Sequence, residues 1–160
     1  MLQRLRMDLI DISILKCLRG NSRISLGRIA EELNISKATV SRRLSRMEGE
    51  GYVSGYTMET SPTKLGLMRA QVGLQVTGTA VNSVIEELRR FSEIESVMRT
   101  FGDHSLVCNI YTTSVDALYN LIQERMLKIP NINNVEVDII IDSVTINPNA
   151  ELDIFQKRIE

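Results

Sequence analysis

The sequence predicts an α+β chain: a helical, winged-type head followed by a βαββαβ body, the ferredoxin-like plait. Apolar residues recur at helical spacing through the first fifty residues and alternate from residue 70 onward, so the period changes once along the chain. The charge changes with it. Residues 1–51 carry ten Lys/Arg against six Asp/Glu, whereas the remainder carries nine against fourteen. A basic head on an acidic body points to a polyanionic partner for the head alone.

With 160 residues, 43% hydrophobic and 24% charged, the chain can build one or two globular cores. Its apolar runs fall far short of the ~20 residues of a membrane-spanning helix. The opening MLQRLRMDLIDISIL has scattered charges and no small-residue cleavage site, which predicts no signal peptide. Cys17 and Cys108 are too distant in sequence to form a metal-type or redox pair, and read as reduced, buried thiols of a cytoplasmic protein.

In the head, DLIDISILKCLRG places Ile10, Ile14, Leu15 and Leu18 at roughly helical spacing, with Gly20 as the stop. The next stretch, ISLGRIAEELN, starts at a Ser25 N-cap and runs through Ile29, Ala30 and Leu33 to Asn34. Ser36 then caps a third helix. Two short helices joined across Asn34–Ile35–Ser36 form a helix-turn-helix pattern. After Gly51, YVSGYTMET alternates like a strand, which predicts a winged or strand-extended variant, and a connector follows through Pro62 and Gly66.

The third helix has two faces. At 100° per residue, Val40, Leu44 and Met47 form one apolar stripe, Arg43 flanks it, and Ala38, Thr39, Arg42, Ser45 and Arg46 fall opposite. Small, hydroxyl and guanidinium groups on one helix face suit DNA. Ala38 and Thr39 permit close approach to base edges, and Arg42 and Arg46 can reach guanine edges or phosphates. Ser36, Lys37 and the free N–H groups of the first turn suit a phosphate. The predicted nucleic-acid contacts are therefore Ser36, Lys37, Ala38, Thr39, Arg42, Arg43 and Arg46.

In the body, AQVGLQVTG sets Val72, Leu74 and Val76 against Gln71, Gln75 and Thr77. That is a half-exposed strand. Thr79 is the expected cap of a helix with Val81, Val84, Ile85, Leu88 and Phe91 on one side. SVMRTF and LVCNIYTT read as hairpin strands joined at GDHS. Ser114 caps VDALYNLIQERMLKI, which Pro130 stops, and NVEVDIIIDSVTI reads as one long last strand. FSEIESV and IPNINNV repeat the same helix-to-strand corner, as a doubled βαβ requires. Helices on one sheet face leave the other to be covered, and a second copy is the economical cover. The expected boundaries are a head at 1–55, a connecting strand and hinge at 56–66, and a plait at 67–160.

With both parts read, the chain resembles the Lrp/AsnC (feast/famine) transcription regulators over nearly its whole length. The resemblance rests on Asp8, Asp11, Ile14 and Leu15; on Arg23, Ile24 and Ser25; on Ile35, Ser36, Thr39, Val40 and Arg43; and on Gly51, Val53, Gly55 and Tyr56, followed by the plait with FGDHS. It implies DNA binding through the helix-turn-helix, dimerisation through the plait, further assembly into tetramers or octamers, and amino-acid sensing between dimers. The family's effector loop, typically Gly-Asp-Tyr-Asp, falls on Gly102, Asp103, His104 and Ser105. Ser105 stands where the second acid serves a ligand's α-amino group, so the resemblance implies weakened capture of ordinary amino acids.

Other classes fit less well. His104 is the sole histidine and reads as an exposed loop side chain. No nucleophile has a recognisable base partner, and no glycine-rich phosphate loop or metal-spaced acid pair occurs, so neither an enzyme nor a cofactor is expected. The aromatic strand signature of an RNA-binding plait is also missing. The alternative that remains is an effector-independent architectural DNA binder of the same fold.

Overall fold

The computed structural model describes residues 7–160. Arg4 and Arg6 of the basic head and the opening of the 1–55 domain lie outside the described residues. The chain divides into two compact units, one comprising residues up to Glu59 together with Val144–Glu160, the other Thr60–Ser143.

The first unit is helical. Helix α1 spans Leu9–Gly20, α2 Leu26–Leu33, α3 Lys37–Gly49 and α6 Ala150–Ile159. Ser25 and Ser36 are the N-caps of α2 and α3, accepting from Arg28 N and Thr39 N, as the sequence predicts. Ile12, Ile14, Leu18, Ile29, Ala30, Val40, Leu44, Met47 and Leu152 form one core. The inward face of α1 differs from the expected one: Ile12 is 1% exposed and Ile10 37%. The capping box between Asp8 and Asp11 fixes how α1 starts, and with it the rotation of the helix.

Two expectations from the sequence are corrected here. YVSGYTMET forms no ladder among the described residues, because alternation specifies a strand only where a neighbour accepts its hydrogen bonds. The last seventeen residues, placed in a 67–160 plait from sequence, lie instead with the helical unit. Leu152 is buried in its core, and Phe155 and Ile159 pack against it.

The second unit is a four-stranded antiparallel sheet with two helices. Strand β1 spans Met68–Val76, α4 Val81–Leu88, β2 Ile94–Arg99, β3 Leu106–Thr112, α5 Val115–Glu124 and β4 Ile132–Ile140, with strand order β2-β3-β1-β4. This is the βαββαβ plait. Ala70, Val72 and Leu74 of β1 and Leu106, Cys108 and Ile110 of β3 share a core with Val84 and Leu88 of α4 and Leu118, Leu121 and Ile122 of α5. Phe91 and Ile129, the two repeated corner residues, are both buried in it. Ser114 caps α5, but α4 is preceded by Ala80 with no side-chain cap, so Thr79 does not play its expected part. Strand β4 stops at Ile140 rather than running to Ile146.

Candidate functional site

The turn between α2 and α3 is set by Asn34, whose φ of 52° is left-handed, a conformation asparagine tolerates better than most residues. Ser36 follows in extended backbone, and its Oγ accepts from Thr39 N at 3.0 Å and lies 2.8 Å from Thr39 Oγ1. Val40, Leu44 and Met47 point inward. Ser36, Lys37, Ala38 and Arg42 are exposed and Thr39 is half-buried. Among the described residues, the Lys37 and Arg42 side chains enter no ion pair. The first two turns of α3 thus present two free cations, two hydroxyls and one methyl beside a helix N-terminus whose N–H groups favour anions.

Arg43 and Arg46 are placed otherwise. Arg43 Nη1 donates to Asp8 Oδ2 at 2.7 Å and to Asp11 Oδ1 at 2.9 Å, and Arg46 Nη2 donates to Asp11 Oδ2 at 2.5 Å. Arg46, expected on the face opposite the core, turns back to α1. A helical projection locates Cβ, and a guanidinium on a long stem can still reach a buried acid one helix away. Asp11 is fully buried, and its Oδ2 also accepts from Asp8 N at 3.0 Å. Burial raises the Asp8 pKa, but the hydrogen bonds from Arg43 and from Asp11 N outweigh it and leave the carboxyl below its ordinary value. Hydrogen bonds to Asp8 and then Asp11 hold Arg43 above its own. The Asp pair, three residues apart like the Arg pair, was the signal in the sequence for this cluster.

At the end of α3, the Tyr56 hydroxyl donates to Glu48 Oε1 at 2.7 Å. Burial, then the Glu48 carboxylate, push the phenol up to about 12.

The loop after β2 is a built turn. Ser105 N donates to Leu74 O at 2.9 Å, Ser105 Oγ accepts from Val76 N at 3.2 Å, and Thr100 Oγ1 donates to His104 O at 2.6 Å. Gln75 Nε2 donates to Asp103 O at 2.9 Å. His104 is not the exposed loop residue expected. Its ring lies over Gly73, with Nε2 3.3 Å from Glu136 Oε2, and Nδ1 is buried without a partner among the described residues. Gly73 and Glu136 are paired across β1 and β4, so the ring spans two strands. Gly102 is exposed and takes no positive φ, so its glycine freedom is unused here. Asp103 keeps an exposed side chain beside this turn. Among the described residues, no group of three or more His, Cys, Asp and Glu could hold a metal ion, and no helix is long and apolar enough to cross a membrane.

A capped helix-turn-helix with a free cationic face, joined to a plait, defines a helix-turn-helix DNA-binding protein. A family model described as winged helix-turn-helix DNA-binding matches residues 7–54, and one described as Lrp/AsnC ligand binding domain matches residues 69–150. The HTH-type transcriptional regulator LrpA1 of Halobacterium salinarum is 32% identical over 123 residues, 74% of this chain and 84% of that one. The HTH-type transcriptional regulator Ptr1 of Methanocaldococcus jannaschii is 29% identical over 136 residues, 84% of this chain and 92% of that one. The chain belongs to the Lrp/AsnC family of DNA-binding transcription regulators. Solved structures share its fold, among them these two. One is E. coli AsnC, with a TM-score of 0.79 at 24% identity over 88% of this chain and 96% of that one. The other is the NMB0573 regulator–L-Met complex from Neisseria meningitidis, with a TM-score of 0.80 at 22% identity over 91% and 99%.

Proposed function

We propose that the first two turns of α3 read a specific DNA site in the major groove. Ser36, Lys37 and the N-terminal N–H groups meet phosphate, while Ala38, Thr39 and Arg42 meet base edges. The observation that carries this is the contrast along one helix: among the described residues Lys37 and Arg42 enter no ion pair, whereas Arg43 and Arg46 are neutralised by acids of α1. The regulator acts in the cytoplasm as a homodimer, or as a tetramer or octamer assembled from such dimers, built on the plait. The sheet face bearing Gln71, Val107, Asn109 and Tyr111 lies opposite the helices and suits a second copy. Its activity is regulatory and not catalytic.

The loop Gly102–Ser105 meets an amino-acid-like effector weakly. Ser105 Oγ is engaged by the backbone of β1, leaving Asp103 as the acid at hand. A neutral hydroxyl gives roughly half of the about 1.5–3 kcal/mol that a charged hydrogen bond supplies. The same engagement favours the second reading, an effector-independent architectural binder. Selection of bound duplexes from a random pool, followed by calorimetry with the common amino acids, tests both. A selected consensus supports the regulator, and equal affinity for all duplexes supports the architectural reading. Tight binding of a common amino acid overturns the weak-effector reading.

A further inference from the structure

We infer that Asp11 is a specificity-determining positioning residue, which keeps Arg43 and Arg46 off the DNA backbone while fixing the rotation of α3. This rests on the assignment of α3 as the reading helix. Asp11 is fully buried, and both of its oxygens are occupied: Oδ1 by Arg43, Oδ2 by Arg46 and by the backbone of Asp8. With Asp8 on Arg43, two carboxylates face two guanidiniums, and the cluster is electrically closed.

The two arginines are one turn apart on α3 and rest on the first turn of α1. The helix is therefore held at two points along one side, which fixes the direction in which Lys37 and Arg42 project. Among the described residues, the cluster is held by the terminal nitrogens of the arginines, since Nε of both is buried without a partner there. Among the described residues, Arg46 has one acceptor, Asp11. Without that charge it is a long cation at a surface that meets a polyanion, with 39% of its side chain already exposed. Phosphate attraction carries no sequence information and steepens the dependence of affinity on salt, by about 0.9 in log–log slope for each phosphate neutralised. Asp11 thus lowers non-specific attraction, which acts on every sequence alike, and protects discrimination by holding the orientation of α3.

The experiment uses the full chain, a random-sequence duplex of about thirty base pairs, and a duplex selected by the unmodified protein. Asp11→Asn is expected to bind the random duplex several-fold more tightly at low salt and to steepen the salt slope by about one. The ratio of selected to random affinity should fall about tenfold. Adding Arg46→Met to Asp11→Asn should return the slope to its original value. Arg46→Met alone should leave the slope unchanged, and it keeps Asp11 paired with Arg43 if the asparagine variant fails to fold. A slope about one unit shallower in Arg46→Met would show Arg46 already on phosphate and overturn the inference, as would an unchanged slope in a folded Asp11→Asn protein. Lys37→Ala and Arg42→Ala, measured beside these, judge the reading helix itself: normal affinity in both removes that assignment, separately from the slope comparison.

Discussion

The imidazole of His104 occupies the space above Gly73 so closely that a Cβ there would lie 2.6 Å from Cδ2 and 2.7 Å from Cγ. No side chain can share that space. Gly73 is buried on the central strand β1, and the ring bridges it to Glu136 on β4. Gly73→Ala should therefore expel the ring from the sheet and cost about 1–3 kcal/mol, the usual penalty for overpacking. Thermal unfolding of the variant measures it. His104→Ala in the same background should recover most of the loss, because the clash then has no second partner.

Arg46→Ala, harmless on a helical projection, should destabilise the helical unit. It leaves Asp11 fully buried with one guanidinium fewer. Breaking a buried pair costs about 3–5 kcal/mol, and solvent at Arg46 reduces this to roughly 1–3. Urea unfolding gives the figure. Arg42→Ala should shift stability by less than about 0.5 kcal/mol, since an exposed side chain with no ion pair among the described residues leaves nothing buried behind.

Acid should loosen the same unit. The folded Asp8 pKa lies below its unfolded value of about 3.9, so its stabilisation is complete above that pH and disappears as pH falls through the folded value. The unfolding midpoint should drop more steeply below about pH 4 than in Asp8→Asn, whose midpoint should already be lower at neutral pH.

The Tyr56 hydroxyl donates to the Glu48 carboxylate at 2.7 Å. With its pKa raised to about 12, this contact is stabilising below the unfolded value of about 10 and is lost as pH rises through the folded one. An ultraviolet titration should show the Tyr56 phenol late, and Tyr56→Phe should remove that step. A late step that survives in Tyr56→Phe would assign the titration elsewhere.

Ending the chain after Ser143 should weaken the helical unit and leave the plait folded. Leu152 is 6% exposed in the helical core, and Lys16–Asp153 at 2.7 Å and Arg19–Glu151 at 3.0 Å flank it. Burying one such leucine is worth about 1.5–3 kcal/mol, and Phe155 and Ile159 add to it. Circular dichroism should show loss of more helix than α6 alone contains, with DNA affinity falling in step.

Local chemistry determined much of this protein from the sequence alone. The caps at Ser25, Ser36 and Ser114, the Val40–Leu44–Met47 stripe and the alternation along β1 depend on neighbours within a few residues, so a linear reading finds them. The matching corners at Phe91 and Ile129 needed only the repeat. Family membership followed from an ordered run of such residues.

Tertiary structure decided everything that depends on a long side chain or on a partner far along the chain. Arg43 and Arg46 find Asp8 and Asp11 thirty-odd residues away, and His104 finds Gly73 and Glu136. Residues 150–159 became a helix of the first unit because Leu152 had a core to enter there. YVSGYTMET stayed out of any ladder for want of a bonded neighbour. Periodicity says which way a Cβ points, but charge pairing, steric exclusion and strand pairing need the other partner in place.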